Sequence, residues 1–380
     1  MHTQNKVLLG LFCALNLAYL FYFKAYPLEN DMGQLAIPLA ISFYTFQQIA
    51  FLVDTYRESK VYTFLEYASF VLFFPQLIAG PITLHNELIP QLRTPRVDCE
   101  KLFIGLCVIA GGLFKKVVMA DSLGVYVDGY FEHYMELTSL DAMIGLTAYT
   151  FQLYFDFSGY CDLAVGSALM FGIRLPENFR TPYRATNIRE FWQRWHITLS
   201  HWLKHYVFYP LGGTRGSELQ TYANLMLVFV FSGVWHGLTL GFAVWGALHG
   251  FALVVYNKFK RAFPAVSMPM WLGWMATFSF VVLARAFTRA SDFDVALSLF
   301  ETIGNLDFTS NFLNINEMTG WLFVLLVLSF LTLITDKSVE DFALNNRVLA
   351  AVVMPLIFAF AVVYQFDHEP TLINFLYFDF

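Results

Sequence analysis

Apolar stretches of about 20 residues, the length that carries a helix across about 30 Å of hydrocarbon at 1.5 Å per residue, recur from one end of this chain to the other. They fall at residues 7–26, 35–53, 64–83, 102–120, 143–173, 222–235, 238–256, 270–287, 322–334 and 349–364. The stretch 143–173 is longer than one span needs and carries Gln152, Asp156, Ser158 and Asp162 near its middle, so the pattern predicts two pieces with a break at Ser158-Gly159. The opening stretch, led by Lys6, lacks a small-residue cleavage site and runs to full spanning length, which makes it a retained helix.

One region interrupts this pattern. From Arg180 to His205 the chain reads Arg-Thr-Pro-Tyr-Arg-Ala-Thr-Asn-Ile-Arg-Glu-Phe-Trp-Gln-Arg-Trp-His-Ile-Thr-Leu-Ser-His-Trp-Leu-Lys-His, and Gly233-Val-Trp-His-Gly237 lies downstream. Asn187 with Glu190 three residues on resembles a capping box, so a helix is predicted from Ile188 until Pro210 blocks it. Ile188, Trp192, Trp195, Leu199, Trp202 and Tyr206 recur at three and four residues and form an aromatic stripe, with Arg189, Gln193 and Ser200 opposite. Too polar to cross lipid unaided, this helix is expected to be re-entrant or interfacial, beside a cytoplasmic opening.

Composition agrees with an integral membrane protein: 57% of residues are hydrophobic, 14% are charged and mean hydropathy is +0.54, values that exclude an ordinary soluble enzyme. The 18% aromatic content, 42 Phe among them, suits ring-lined helices with interfacial anchors. Net charge is −6, yet between Arg174 and Arg215 seven basic side chains (Arg174, Arg180, Arg184, Arg189, Arg194, Lys204, Arg215) face two acidic ones (Glu177, Glu190), which places this region on the cytoplasmic side. Arg93, Arg96, Lys115 and Lys116, and then Lys258, Lys260 and Arg261, read as further topology signals. Cys13, Cys99, Cys107 and Cys161 lack metal-type spacing and are expected to be buried small residues. With neither internal repeat nor low-complexity linker, residues 1–380 form one polytopic domain.

Several blocks together carry a resemblance: Phe191-Trp-Gln-Arg-Trp-His-Ile-Thr-Leu-Ser200, Tyr206-Val-Phe-Tyr-Pro-Leu-Gly-Gly213 and Gly233-Val-Trp-His-Gly237, joined by Phe21-Tyr-Phe-Lys24, Ile41-Ser-Phe-Tyr-Thr-Phe-Gln47, Asp54-Thr-Tyr-Arg57, Phe74-Pro-Gln-Leu-Ile-Ala-Gly-Pro81 and Asp156-Phe-Ser-Gly-Tyr-Cys-Asp162. In order and over nearly the whole chain, the sequence resembles the membrane-bound O-acyltransferase family, above all its alginate O-acetyltransferase branch, which is related to the D-alanyl transfer protein of teichoic acid synthesis. Two departures stand out: relatives carry further membrane segments upstream of the Phe-Lys block, which this chain is expected to lack, and Leu283-Ala-Arg-Ala286 is without the paired phenylalanines of that branch.

The resemblance implies an all-α integral membrane bundle of many helices, with the re-entrant or interfacial region forming a cytoplasmic funnel. It implies that His236 is the catalytic histidine and that His196 lies near the donor side of the same tunnel. Arg184, Arg189, Trp192, Arg194, Trp195 and Trp235 are then the expected funnel and donor-binding residues. Moving an acyl group from a thioester to a hydroxyl requires removal of the hydroxyl proton, and imidazole, with an ordinary pKa near 6.5, suits that task.

The other polar groups have plainer readings. Taken along one continuous helix, His249 lies 13 residues and about 20 Å beyond His236, so it is expected to be structural. His201 and His205 are spaced as helical metal ligands, but Lys204 stands where a zinc hydrolase has glutamate, and no metal is expected. One of Asp156 and Asp162 is expected to pair with an arginine. Ser158 and Ser232 lack a nucleophile elbow, which favours direct transfer over an acyl-serine.

The expected activity is thus O-acetylation of an extracytoplasmic, alginate-like polysaccharide from the inner membrane. No cofactor is bound. The donor is an acyl thioester, acetyl-CoA or an acyl-phosphopantetheine carrier, whose phosphates suit arginines. Expected partners are the bilayer, periplasmic acetyltransferase proteins and the glycan acceptor, with no nucleic acid. The competing readings are a transporter, whose histidines and arginines would line a permeation path, and a non-catalytic scaffold of an envelope glycan complex.

Overall fold

A 32-residue helix, Ser139–Met170, runs through the centre of the molecule for about 48 Å. A capping box at Thr138 and Asp141 starts it, and from Ala148 through Gly159 every residue is buried, the signature of a helix enclosed on all sides. The computed structural model describes residues 5–26, 28–29, 35–36, 38, 40–58, 60–310 and 319–367. Apart from a two-residue antiparallel ladder pairing Leu28–Glu29 with Leu35–Ala36, the regular structure among them is helical.

The expected break at Ser158-Gly159 is absent. Gly159 and Gly166 meet Gly112 and Gly105 of the helix Cys99–Leu113, so close that a Cβ on Gly159 would lie 2.8 Å from the Gly112 carbonyl oxygen and one on Gly166 2.6 Å from that of Gly105. The glycines serve helix contact, as small residues do inside membranes. The carboxylates that suggested a break are answered by lysines rather than an arginine: Lys115 Nζ lies 2.7 Å from Asp162 Oδ2 and Lys116 Nζ 2.7 Å from Asp156 Oδ1. Lys116 also meets Asp121, at 2.6 Å. Both lysines sit on a π-helical stretch, Phe114–Asp121, that continues Cys99–Leu113 toward Ser122–Glu132. They are intramembrane ion-pair partners, and not the topology signal that their sequence position suggested.

Around this centre, five helical spans among the described residues are long and apolar enough to cross a membrane: Lys6–Ala25, Cys99–Glu132, Leu240–Ala262, Met270–Arg289 and Arg347–Phe366. Along the last of these, Val348, Val352, Leu356 and Val363 are each more than half exposed, an apolar outer face that suits lipid. The predicted span 64–83 is instead a helix Phe64–Val71 and a single turn Phe74–Leu77, because Pro75 suits only a helix start and Gly80-Pro81 bars any continuation of the turn. The span 35–53 becomes Ile41–Glu58, displaced past Pro38; Ile37 and Leu39 lie outside the described residues. Of the four cysteines, Cys107 and Cys161 are buried as expected, whereas Cys99 is exposed and Cys13 half-buried.

Candidate active site

Glu218–His236 and Leu240–Ala262 form an antiparallel helical hairpin whose turn is Gly237-Leu238-Thr239. Its two helices touch backbone to backbone at Gly233 and Gly246, where an added Cβ would fall 2.2 Å from the Phe242 carbonyl oxygen and 2.3 Å from that of Phe229 respectively. His236 therefore ends one helix while facing the start of the next. Lys24 Nζ, reaching in from the first helix, donates to the His236 carbonyl oxygen at 3.1 Å and lies 5.7 Å from the Trp235 ring centroid. A cation there satisfies a carbonyl left open at the helix end and complements its dipole.

The hairpin changes the place of His249. The 13-residue spacing from His236 is folded back at Gly237, so Trp245 stands between the two imidazoles, 5.6 Å from His236 and 4.9 Å from His249 by ring centroids. His249 is enclosed by Phe191, Trp192, Trp245 and Phe280. It adjoins the site that a continuous helix would have kept distant.

The predicted helix from Ile188 to Pro210 is broken in the middle. Ile188–Arg194 ends at Trp195, which is extended (φ −101°, ψ 125°); His196 is left-handed (φ 44°, ψ 54°); Ile197–Leu203 then begins and continues as a π-helical turn, Lys204–Phe208. Asn178 stabilises this break. Its side-chain oxygen accepts from Thr198 N at 3.2 Å, Thr198 Oγ1 at 2.8 Å and His196 Nδ1 at 3.1 Å, while its main-chain oxygen accepts from Ile197 N at 3.0 Å. An amide oxygen can only accept, so the His196 proton sits on Nδ1 and Nε2 is the acceptor nitrogen. Nothing in the 3.6-residue periodicity marks this break, and Asn178, outside the motif blocks, carried no signal.

Two voids flank the broken helix. A small cavity of about 20 Å³, room for one water, is lined by Tyr149, Leu153, Trp195, His236, Phe242, Trp245, Arg285 and Thr288. A larger cleft of about 650 Å³ has Trp192, Gln193, Ile197, Thr198, Ser200, Trp202 and Tyr206 in its wall, with Asp54, Arg57, Glu58, Glu87, Glu177, His201, Lys204 and His205 supplying mixed charge. Trp192 on the cleft side and Trp245 on the cavity side are 6.0 Å apart by ring centroids. His196, buried against Phe157 at 4.8 Å, sits between two residues of which one, Trp195, faces the cavity and the other, Ile197, faces the cleft.

The structure thus gathers His236, Trp195 and Trp192 around adjoining voids, with His196 in the wall between. Trp235 backs His236 at 4.3 Å and packs on Phe46 at 4.9 Å, and it does not line the cavity. The three arginines stand apart from the cleft lining: Arg184 lies 3.9 Å from Asp336, Arg194 bonds to Glu190 and Asp336 at 3.0 and 2.7 Å, and Arg189 bonds to Asn257 at 2.5 Å. His201 and His205 meet edge to face with ring centroids 4.2 Å apart, and among the described residues no group of three His, Cys, Asp or Glu side chains gathers as a metal set.

The chain is 41% identical to a peptidoglycan O-acetyltransferase of Helicobacter pylori, an alignment covering 79% of this chain and 65% of that protein. It is 40% identical to a probable alginate O-acetylase of Pseudomonas aeruginosa over 80% of this chain and 58% of the relative, and 29% identical to a teichoic acid D-alanyltransferase of Bacillus subtilis over 59% and 60%. The chain spans somewhat under two thirds of the length of these relatives. Residues 56–291, which hold both histidines and every residue lining the small cavity, match the sequence profile of the membrane-bound O-acyltransferases, and the chain belongs to that family.

Proposed function

We propose that this protein transfers an acyl group, acetyl in the first instance, from a cytoplasmic thioester to a hydroxyl on an extracytoplasmic glycan or a partner protein that passes it on, and that it does so from the inner membrane. The observation that carries this reading is His236, at the end of an apolar helix, on a cavity with space for one small group and separated from a large polar cleft only by the Trp192, Trp245 and His196 layer. His236 is the base: its imidazole takes the hydroxyl proton as the oxygen attacks the thioester carbonyl, and returns it to the departing thiolate. His196 helps at the donor side, its ring fixed by the Nδ1 contact with Asn178 between Trp195 of the cavity wall and Ile197 of the cleft wall. The relatives support the reaction class, since their names specify O-acetylation of peptidoglycan or alginate and D-alanyl transfer to teichoic acid.

The cleft suits the polar arm of coenzyme A or of a phosphopantetheine carrier, with Arg57 and Lys204 as its cations and His201 and His205 beside them. The test is turnover by the purified protein in lipid nanodiscs, with acetyl-CoA as donor and cell-envelope glycan as acceptor, following free thiol and new ester together. Thiol and ester should appear in equal amounts with the wild type, and neither should appear with H236A. Wild-type protein that releases no thiol, or H236A that works within twofold of it, would overturn the reading.

A further inference from the structure

Arg285 lies where two short helices meet, Met270–Ala284 and Ala286–Arg289, and is only 3% exposed. Burying a guanidinium costs several kcal/mol unless something answers its charge. Here no carboxylate does: among the described residues Arg285 enters no ion pair, and its Nε has no hydrogen-bond partner. Its neighbours are ring faces and neutral polar groups. The guanidinium carbon is 4.8 Å from the Trp195 ring centroid and 5.8 Å from that of Trp245. Two cation–π contacts of about 0.5–2 kcal/mol each hold the plane in place without neutralising it.

The same side chain lines the small cavity together with His236. A fixed, unneutralised guanidinium in an apolar wall stabilises negative charge that comes to it, and it needs no reorganisation to do so. A single carbonyl oxygen fits the small cavity beside it. We propose that Arg285 is a catalytic residue, the electrophilic partner of His236, which binds the acyl carbonyl oxygen and carries its negative charge at the tetrahedral stage. The inference rests on the acyl-transfer reading above. The hydroxyl oxygen bonds to the carbonyl carbon while its proton passes to the His236 imidazole, and the carbonyl electron pair moves onto the oxygen facing Arg285. Collapse re-forms the carbonyl, breaks the carbon–sulfur bond and returns the proton to the thiolate, so thioester and alcohol become ester and thiol.

The experiment is the acetyl-CoA assay above on R285Q and R285A, with membrane level and gel-filtration profile matched to wild type. R285Q should lose at least about 100-fold in kcat, the scale of one oxyanion donor, while KM for acetyl-CoA stays within about threefold. Methylguanidine added to R285A should restore about tenfold or more of the lost rate, which a purely structural arginine would not allow. Activity of R285Q within about threefold of wild type, a loss confined to KM, or an R285A rate unmoved by methylguanidine would each overturn the proposal. Absence of turnover by wild type would instead overturn the acyl-transfer reading on which it stands.

Discussion

A base and a helper within one tunnel should fail differently, and His196 and His236 are placed to show it. His236 lines the small cavity, so H236A should abolish the single-turnover chemical step while leaving donor affinity near normal; H196A should weaken donor binding as well as rate. The measurement is acetyl-CoA affinity and single-turnover rate on both variants side by side, and loss of chemistry in H196A with retention in H236A would exchange their roles. Asn178 should behave as part of the same unit. N178A removes the acceptor of three hydrogen bonds at about 1 kcal/mol each, so thermal unfolding in detergent should show a loss of about 2–3 kcal/mol together with the donor-binding defect of H196A. His236 was singled out by the family resemblance, since a polar ring at the end of an apolar run reads equally as a hydrogen-bonded core histidine. Arg285 was legible as a lone cation in a span but not as part of the site, since no spacing rule brings Trp195, Trp245 and residue 285 together across three segments.

At the scale of elements, the sequence placed helices well where one apolar run meant one helix, as at Lys6–Ala25 and Arg347–Asp367, and misjudged those whose polar residues are satisfied by another element. Ser139–Met170 looked too polar to be continuous because Lys115 and Lys116, which neutralise it, come from a segment some 40 residues earlier. Ile188 to Tyr206 looked continuous because periodicity sees side chains and not the main-chain bonds that Asn178 supplies. The glycine seam between Cys99–Leu113 and Ser139–Met170 yields a sharp contrast. G159A should destabilise by about 1–3 kcal/mol, since its methyl would press on the Gly112 carbonyl, whereas G10A, with nothing within 4 Å of the added atom, should leave the unfolding temperature unchanged. Equal effects from the two substitutions would show that the seam is not tight.

For the whole molecule, orientation is set by charge. The basic segment between Arg174 and Arg215 is answered in part by Glu340 and Asp336 from beyond the helix Thr319–Leu331, so those acids and the cleft share one membrane face. That face is predicted to be cytoplasmic: a cysteine placed at Ser217, just before the His236 helix, should resist a membrane-impermeant thiol reagent in intact cells and react once the membrane is opened. Labelling in intact cells would invert the protein and with it the direction of transfer.

The bond from Lys24 to the His236 carbonyl spans 212 residues, and the helix that sends it is otherwise almost wholly outside the packed interior. During synthesis that helix leaves the ribosome well before His236, and the bond cannot form until the chain through residue 236 has been threaded into the bilayer. The His236 end of the hairpin is therefore closed by a much earlier part of the chain, and a chain not yet threaded through residue 236 cannot present that histidine in its finished setting. Completion of the candidate site thus waits on a contact between two spans made far apart in time.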